Sequence, residues 1–285
     1  MKVLVTGSKG MLGADLTTQL QNEGHNVIGT DIDSLNICNL DAVRRTMDEC
    51  KPDIVINCAG YTDVDRCETD IENANKVNSI GPENLAIASN QLNIPLVYIG
   101  SDYIFDGETN KPYVEGDIVN PLNVYGKSKL FGEENVKKHT NKYFILRTQW
   151  LYGKHGKNFV KTMLLQAEQG SVLTVVNDQF GSPTYTKDLA NTICEIIKTS
   201  SYGTYHVTNS GICSWYEFAK CIMKLAKIDI DVKPCTSEEF PRPAKRPKYS
   251  PLENLNLRLC NFKTLRHYED ALKEYLDEIQ YIKKL

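Results

Sequence analysis

The stretch Lys2-Val-Leu-Val-Thr-Gly-Ser-Lys-Gly-Met-Leu-Gly13 joins a short apolar run to three glycines, Gly7, Gly10 and Gly13. One glycine permits a tight turn, a second lets the backbone approach a pyrophosphate, and a third lets a helix pack closely on a strand. The N-terminus of the following helix would offer free N–H groups to an anion. The spacing is one residue longer than the common dinucleotide fingerprint, and an ordinary strand-to-helix turn is the alternative. We predict a dinucleotide phosphate loop formed by Gly7, Lys9, Gly10, Met11, Leu12 and Gly13.

Short β-branched runs alternate with amphipathic stretches through the first half of the chain. The runs are apolar almost throughout, as expected of strands that helices cover on both faces. This alternation predicts an α/β fold with a doubly wound parallel sheet of the Rossmann-like kind. The predicted strands are Lys2–Thr6, Asn26–Thr30, Ile54–Asn57, Leu96–Gly100 and Tyr143–Arg147, and the predicted helices lie near 11–23, 40–50, 68–92 and 121–141. For the last helix we expect Asn120 as the N-cap and Pro121 at the first helical position.

The second half of the chain has a looser rhythm and predicts a smaller α/β substrate-binding cap. The proline-rich run Pro241-Arg-Pro-Ala-Lys-Arg-Pro247 excludes a helix or a central strand, so we expect a surface or cleft-lining loop. The other predicted segments are a loop at 178–183, a helix near 186–199, a strand near 204–207, a helix near 214–227 and a C-terminal helix from Asn261 or Lys263. The predicted dinucleotide-binding domain is 1–150 plus about 186–207, and the cap is about 151–185 and 208–285.

Composition and charge exclude several classes of protein. The 285 residues carry 33 basic and 36 acidic side chains, so we expect neither a nucleic acid nor a membrane surface as a partner. No apolar run approaches the roughly 20 residues that span a bilayer. The chain opens on a strand rather than on a signal segment, which predicts a cytoplasmic location. Nine cysteines without a Cys-x-x-Cys spacing predict reduced thiols, most of them small buried hydrophobic side chains.

Two carboxylates, Asp31 and Asp33, follow the second predicted strand. A carboxylate here can accept hydrogen bonds from the 2′-hydroxyl of an adenosine ribose and would repel a 2′-phosphate, which favours NADH over NADPH. The alternative is that these carboxylates cap a loop while Arg44 or Arg45 meets a phosphate. We therefore predict NADH or NADPH as the cofactor.

A tyrosine and a lysine four residues apart share one face of a helix, and the chain contains two such pairs. Tyr125 and Lys129 lie on the helix after the fourth strand, which ends near Ser101 at the carboxyl edge where ligands of open α/β sheets bind. Tyr216 has neighbouring aromatic residues at core-facing spacing, so we assign it to packing. The predicted catalytic residues are Ser101, Tyr125 and Lys129.

These features together resemble the extended short-chain dehydrogenase/reductase superfamily. More narrowly, five separated blocks are similar to the dTDP-4-dehydrorhamnose reductase family, over residues 1 to about 260. The blocks are Asn57-Cys-Ala-Gly-Tyr-Thr-Asp-Val-Asp65, Gly100-Ser-Asp-Tyr-Ile-Phe-Asp-Gly107, Arg147-Thr-Gln-Trp-Leu-Tyr-Gly153, Asp178-Gln-Phe-Gly-Ser-Pro-Thr184 and Arg246-Pro247. The resemblance implies an NAD(P)H-dependent reduction of the C4 ketone of a dTDP-linked 6-deoxy-4-keto sugar, in nucleotide-sugar and polysaccharide biosynthesis.

The resemblance also implies roles for individual residues. Tyr125 would be the acid, with a pKa that the ammonium of Lys129 lowers, and Lys129 would also bond the nicotinamide ribose. Ser101 would orient the substrate oxygen. Cofactor contacts are expected at Asp31, Asp33, Cys58, Ala59, Tyr61, Tyr125 and Lys129 besides the phosphate loop, and substrate contacts at Ser101, Tyr103, Trp150 and Arg246. The alternatives are a loop-supporting Tyr103, a core indole at Trp150 and a solvated basic loop at Arg246.

Three positions depart from the family's usual pattern. Serine replaces threonine at Ser101, Asn36 stands where an aspartate often meets the adenine region, and Lys187 precedes Asp188 where an acidic pair is expected. We therefore predict no magnesium site.

Two other functions are alternatives to the reductase. One is a regulatory subunit that binds dinucleotide without turnover, and the other is an epimerase that retains NAD. A homodimer is an open expectation.

Overall fold

The computed structural model describes residues 1–170 and 172–281 and contains one six-stranded parallel sheet. Its strands are β1 (Lys2–Thr6), β2 (Asn26–Thr30), β3 (Ile54–Asn57), β4 (Leu96–Ser101), β5 (Tyr143–Thr148) and β10 (Gly203–His206). They lie side by side in the order β2, β1, β3, β4, β5, β10. The strand order reverses between β1 and β3, which is where ligands of such sheets bind. The predicted doubly wound α/β fold is confirmed.

Helices cover both faces of this sheet. They are α1 (Met11–Asn22), α2 (Leu40–Cys50), α5 (Gly81–Gln91), α6 (Val124–His139) and α8 (Thr186–Ile196). Neighbouring residues of β1 belong to different cores, since Val3 and Val5 pack with α1 and α8 while Leu4 packs with α2 and α5. Successive strand side chains point to opposite faces, so a fully apolar strand serves two cores at once.

The helix predicted near 68–92 is observed as unbroken helical backbone over 71–91, with a π-helical turn inside it, and a separate short helix precedes it. Four helical segments therefore occupy 64–91. They are α3 (Val64–Cys67), α4 (Ile71–Asn75), a π-helical turn (Lys76–Ile80) and α5. The N–H of Gly81 bonds the carbonyl of Lys76, five residues back, and Pro82 follows with no N–H to donate. Pro82 thus lies where the π-helical hydrogen-bond pattern of residues 76–80 changes to the α-helical pattern of α5.

Helix α6 begins at Val124, and the prediction that Asn120 caps it is wrong. Asn123 is the N-cap, and its side-chain oxygen accepts the N–H of Gly126 at 2.8 Å. The side chain of Asn120 instead donates to Asp106, 3.1 Å away. Pro121 therefore precedes the helix, and the cap sits two residues from Tyr125.

The second half forms a cap with its own apolar core. Its elements are β6 (Leu151–Tyr152), α7 (Phe159–Glu168), β7 (Leu173–Val176), β8 (Phe180–Gly181), β9 (Thr184–Tyr185), β11 (Cys213–Ser214), α9 (Trp215–Ala226), β12 (Val232–Cys235) and α11 (Tyr268–Glu278). Helix α10 (Leu255–Leu259) comes from the same half of the chain but buries Leu257 in the core of the main sheet, with α1 and α8. The C-terminal helix predicted from Asn261 or Lys263 in fact begins at Tyr268. Asn261 follows Cys260, the C-cap of α10, and its φ of 59° lies in the left-handed region, so the backbone is not right-handed helical there.

Several negative findings hold for residues 1–170 and 172–281. None of the helices there is both long and apolar enough to cross a membrane. All nine cysteines are free thiols, and four of them are buried. No three His, Cys, Asp or Glu side chains in this part of the chain are placed to hold a metal ion. Lys187 Nζ lies 2.8 Å from a carboxylate oxygen of Glu274 and forms an ion pair with it.

Candidate active site

The glycine turn lies at the point where the strand order reverses, between the ends of β1 and β3. Gly7 has a φ of 64°, and a Cβ on it would stand 2.6 Å from the backbone nitrogen of Ala59. A Cβ on Gly13 would stand 2.1 Å from the carbonyl oxygen of Gly7. Gly10 is the extended N-cap residue of α1, with no side chain over the helix N-terminus. The cradle therefore fits a dinucleotide pyrophosphate.

Two adjoining cavities open beside this turn and share Gly10, Cys58, Ala59 and Gly60. The first, of about 390 Å³, contains Ser101, Tyr125 and Lys129 together. The second, of about 310 Å³, is bordered by Gly7, Asp31 and Tyr61. Of the other predicted residues, Met11, Leu12, Tyr103 and Trp150 line the first cavity, whereas Lys9, Gly13 and Asp33 line neither. Residues that the sequence did not single out also line the first cavity, namely Thr62, Asp102, Thr148, Gln149 and Leu151.

The carboxylates after β2 are already engaged by the glycine turn. Asp31 accepts the backbone N–H of Lys9 at 3.1 Å and that of Ile32 at 2.8 Å. Asp33 forms an exposed ion pair with the ammonium of Lys9. The predicted repulsion of a 2′-phosphate is thus opposed by a lysine beside it, so these residues do not select NADH over NADPH by charge alone.

Lys129 is buried beneath the first cavity and is held by the sheet. Its ammonium donates to the carbonyl of Ile99 at 2.5 Å and lies 4.3 Å from the ring centroid of Tyr98. Burial lowers the pKa of Lys129 to about 8, against the charge of Glu133. The residue is therefore a lysine close to losing its proton at neutral pH.

The expectation that Lys129 lowers the pKa of Tyr125 is wrong for this structure. Burial of the phenol raises its pKa above the ordinary value, although a hydrogen bond with Ser101 opposes the rise. Removing the charged phenolate from water costs more free energy than the nearby dipoles recover, so the neutral phenol is favoured. Tyr125 consequently holds its proton at neutral pH and is suited to donate it.

Asn78, on the π-helical turn, holds the loop that follows β3 and was not predicted. It is buried, accepts the N–H of Tyr61 at 2.8 Å and donates to the carbonyl of Tyr61 at 3.0 Å. Its amide also donates to Ser128, the residue before Lys129, at 3.0 Å. The side chain of Asn78 thus connects the loop after β3 to the helix that carries Tyr125 and Lys129. The contacts join residues that are distant in sequence, so the sequence alone does not predict them.

Aromatic rings form the cap side of the first cavity. Tyr103 meets Tyr125 edge to face, with ring centroids 5.4 Å apart. Trp150 stacks on Trp215 of the cap, with centroids 3.5 Å apart. Trp150 therefore lines the cavity and also packs against the cap, and its contact with a substrate stays a prediction. Tyr216 is partly buried against the cap core, as expected of a packing residue.

Arg246 lies outside the first cavity and is paired with a carboxylate. It donates to both oxygens of Asp65, at 2.9 and 3.0 Å, and Arg242 donates to the same carboxylate at 2.9 Å. Burial acts to raise the pKa of Asp65, but the hydrogen bonds from Arg246 and Arg242 lower it below its usual range. Asp65 belongs to the motif Asn57–Asp65, but residue spacing does not predict its pairing with Arg246, which lies 181 residues later in the chain.

Arg246 and Arg242 border a separate basic cavity of about 510 Å³. The proline-rich run 241–247 forms its wall, as predicted for a cleft-lining loop. Lys245 and Lys248 add further positive charge, Asp106 and Glu108 contribute two carboxylates, and Gln179 of the cap also lines the cavity. This cavity suits an anionic group, since guanidinium forks bind phosphate oxygens in pairs.

Comparison with known proteins gives a consistent picture. The family described as RmlD substrate binding domain matches residues 1–281. A dTDP-4-dehydrorhamnose reductase from Clostridium acetobutylicum is 50% identical in its crystal structure, which covers 98% of this chain and 100% of its own, with a TM-score of 0.96. One from Bacillus anthracis, in complex with NADP, is 44% identical, covers 97% and 99%, and has a TM-score of 0.95. The spore coat polysaccharide biosynthesis protein SpsK of Bacillus subtilis is 43% identical over 97% of each chain.

Proposed function

Because the chain belongs to the RmlD substrate binding domain family, we propose that it reduces the C4 ketone of dTDP-4-dehydrorhamnose to dTDP-rhamnose with NADH or NADPH. One observation carries the proposal. Ser101, Tyr125 and Lys129 line the same cavity as the N-terminus of the helix that follows the glycine turn. A proton donor and a dinucleotide cradle therefore share one space, which is what a nicotinamide-dependent ketone reduction needs.

In the proposed mechanism the bound reduced nicotinamide supplies a hydride to the ketone carbon. Tyr125, neutral at working pH, donates its phenolic proton to the oxygen as negative charge develops there. Lys129, held against the carbonyl of Ile99 in the same cavity, would present its ammonium to the nicotinamide ribose. Ser101 donates to the same oxygen and fixes its position.

The substrate would span the first cavity and the basic cavity. Its sugar lies against Tyr103 and Trp150, and its diphosphate meets Arg246 and Arg242 in exchange for Asp65. We also propose the domain division that the sequence predicts, with 1–150 and about 186–207 binding dinucleotide and the remainder forming the cap. A cytoplasmic location and a homodimer stay predictions.

The first experiment is a turnover assay with the purified chain. We expect dTDP-4-dehydro-L-rhamnose to be consumed together with one equivalent of NADH or NADPH, and dTDP-L-rhamnose to be identified by chromatography. A regulatory subunit would bind the dinucleotide without consuming it. An epimerase would retain NAD and change the sugar with no net cofactor oxidation. Either outcome would overturn the proposal.

Lys9 is expected to set the balance between the two cofactors. In Lys9→Ala the carboxylate of Asp33 loses its ion pair and repels a 2′-phosphate, so the KM for NADPH should rise by roughly two- to fivefold while that for NADH barely changes. Asp33→Asn is the matched opposite, and it should lower the KM for NADPH. Equal changes for both cofactors in either variant would contradict this role.

A further inference from the structure

Asp102 is a buried carboxyl directly behind the catalytic serine. Its side chain is 1% exposed. One oxygen accepts the hydroxyl of Ser101 at 3.1 Å and the other accepts the hydroxyl of Ser250 at 2.7 Å. Within residues 1–170 and 172–281 it forms no ion pair with a lysine, arginine or histidine. A buried carboxyl without a counter-charge is costly to keep ionised, and the mechanism above does not use it.

Ser250 comes from the cap side of the molecule and is firmly placed. Its N–H donates to the carbonyl of Phe180 at 3.1 Å, and its carbonyl accepts the amide of Gln149 at 3.1 Å. Gln149 in turn accepts the N–H of Ser182 at 2.9 Å. These contacts hold the hydroxyl of Ser250 against Asp102, so the carboxyl links the cap to Ser101.

Ser101 has a single hydrogen and more than one possible acceptor. Its oxygen already accepts the N–H of Tyr103 at 3.2 Å, and the phenol of Tyr125 lines the same cavity. When Asp102 is ionised, the carboxylate can only accept, and the serine hydrogen is directed to it. When Asp102 carries a proton, the carboxyl can donate to the serine oxygen and release the serine hydrogen toward the cavity.

We propose that Asp102 is a positioning residue that sets the direction of the Ser101 hydroxyl, which donates to the substrate oxygen only while Asp102 is protonated. The inference rests on the proposed function and extends it. Asp102 keeps its proton through the cycle, since the proton that neutralises the alkoxide comes from Tyr125. The cap influences the reaction through Ser250, whose hydroxyl stabilises the ionised form of the carboxyl.

Among Asp102 and the groups that face it, Asp102 is the one whose protonation changes near neutral pH. Tyr103 on the same turn and Tyr125 on α6 are phenols, and burial raises the pKa of both. From the cap Ser250 contributes a hydroxyl, while Arg246 and Asp65 act on Tyr103. Burial raises the pKa of Asp102 to about 7, against the hydrogen bonds from Ser250 and Ser101. The protonated fraction therefore falls as the pH rises through 7, and the kcat of ketone reduction should fall with it.

The decisive experiment compares kcat against pH at saturating substrate and NADPH for four proteins. In Asp102→Asn the amide always donates, so kcat should stay within roughly tenfold of the wild-type value at low pH and lose its fall near neutrality. In Ser250→Ala the carboxylate loses a donor, so the fall should move up by about one pH unit. Ser89→Ala is the control, because this serine on α5 is equally buried and its hydroxyl has no partner within the described chain.

Three results would overturn the inference. The first is an Asp102→Asn protein whose kcat falls near neutral pH as in the wild type. The second is an Asp102→Asn protein that binds NADPH normally but is inactive at every pH. The third is a Ser250→Ala protein whose kcat falls at the same pH as in the wild type. Burial lowers the pKa of Lys129 to about 8, above that of Asp102, and none of the substitutions removes Lys129, so a fall that disappears in Asp102→Asn and moves in Ser250→Ala is assigned to the carboxyl. Infrared difference spectra test the same carboxyl without turnover, since a protonated-carboxyl band should titrate near pH 7 and vanish in Asp102→Asn. If the wild type consumes no cofactor, the proposed function fails, whereas loss of only the variant effects removes the role of Asp102.

Discussion

Replacing Tyr125 with phenylalanine should lower the kcat for dTDP-4-dehydrorhamnose by roughly a hundred- to ten-thousandfold, the usual contribution of a placed proton donor. The phenol is the group that burial keeps neutral beside Ser101, so its oxygen is the source of the proton. Phenylalanine retains the ring that packs edge to face on Tyr103. Cofactor affinity should therefore stay near the wild-type value. Steady-state kinetics and a fluorescence titration with NADPH measure the two quantities.

Tyr216→Phe is the matched control for Tyr125→Phe. Tyr216 belongs to the other tyrosine and lysine pair at the same spacing, and Lys220 lies 5.4 Å from its ring centroid. It borders a surface pocket on the cap, together with Glu217 and Tyr268, away from the glycine turn. Its kcat should match that of the wild type. A Tyr125→Phe protein with more than a tenth of wild-type kcat would remove Tyr125 from the role of acid.

The central sheet was predictable because its signals are local. A strand buried on both faces has a nearly continuous apolar sequence, as β1 and β3 do. The limits of β1, β3 and the partly exposed edge strand β2 are all as predicted. The glycine turn was predictable for the same reason, since the strand, the turn and the helix are consecutive. The failures lie where local signals compete. Asn120 and Asn123 both precede α6, and only the contact of Asn120 with Asp106 decides which of them caps the helix.

The site could be predicted only in part, because half of it depends on long-range contacts. Ser101, Tyr125 and Lys129 stand at strand and helix positions that the topology brings together, so spacing and strand order sufficed to predict that they share one cavity. Asp65 and Asp102 lie inside recognisable motifs, yet their partners Arg246 and Ser250 come from the cap loop. The pKa of Tyr125 was misjudged for a related reason. Sequence spacing gave the distance to an ammonium but not the burial that outweighs it.

Arg147 occupies another of these motifs, and its partners make it a structural residue. It is 3% exposed on β5, and its guanidinium donates to both oxygens of Glu133, with the closest contact at 2.8 Å. A further N–H donates to the carbonyl of Glu115 at 3.1 Å. Gly100 on β4 leaves the space, since a Cβ there would stand 2.7 Å from Glu133. The pair ties α6, which carries Tyr125 and Lys129, to the sheet.

Arg147→Met should lower the free energy of unfolding by about 3–5 kcal/mol, because it leaves the fully buried carboxylate of Glu133 with only the longer contact to Lys137 Nζ, at 3.9 Å. That loss approaches the whole stability of a typical domain, about 5–15 kcal/mol. The double variant Arg147→Met with Glu133→Leu should be less destabilised than Arg147→Met alone, since no unpaired charge remains. Urea unfolding of the wild type, both single variants and the double variant measures the coupling. A loss under about 1 kcal/mol in Arg147→Met, or a double variant at least as unstable as the sum of the two single losses, would show that the pair does not anchor the catalytic helix.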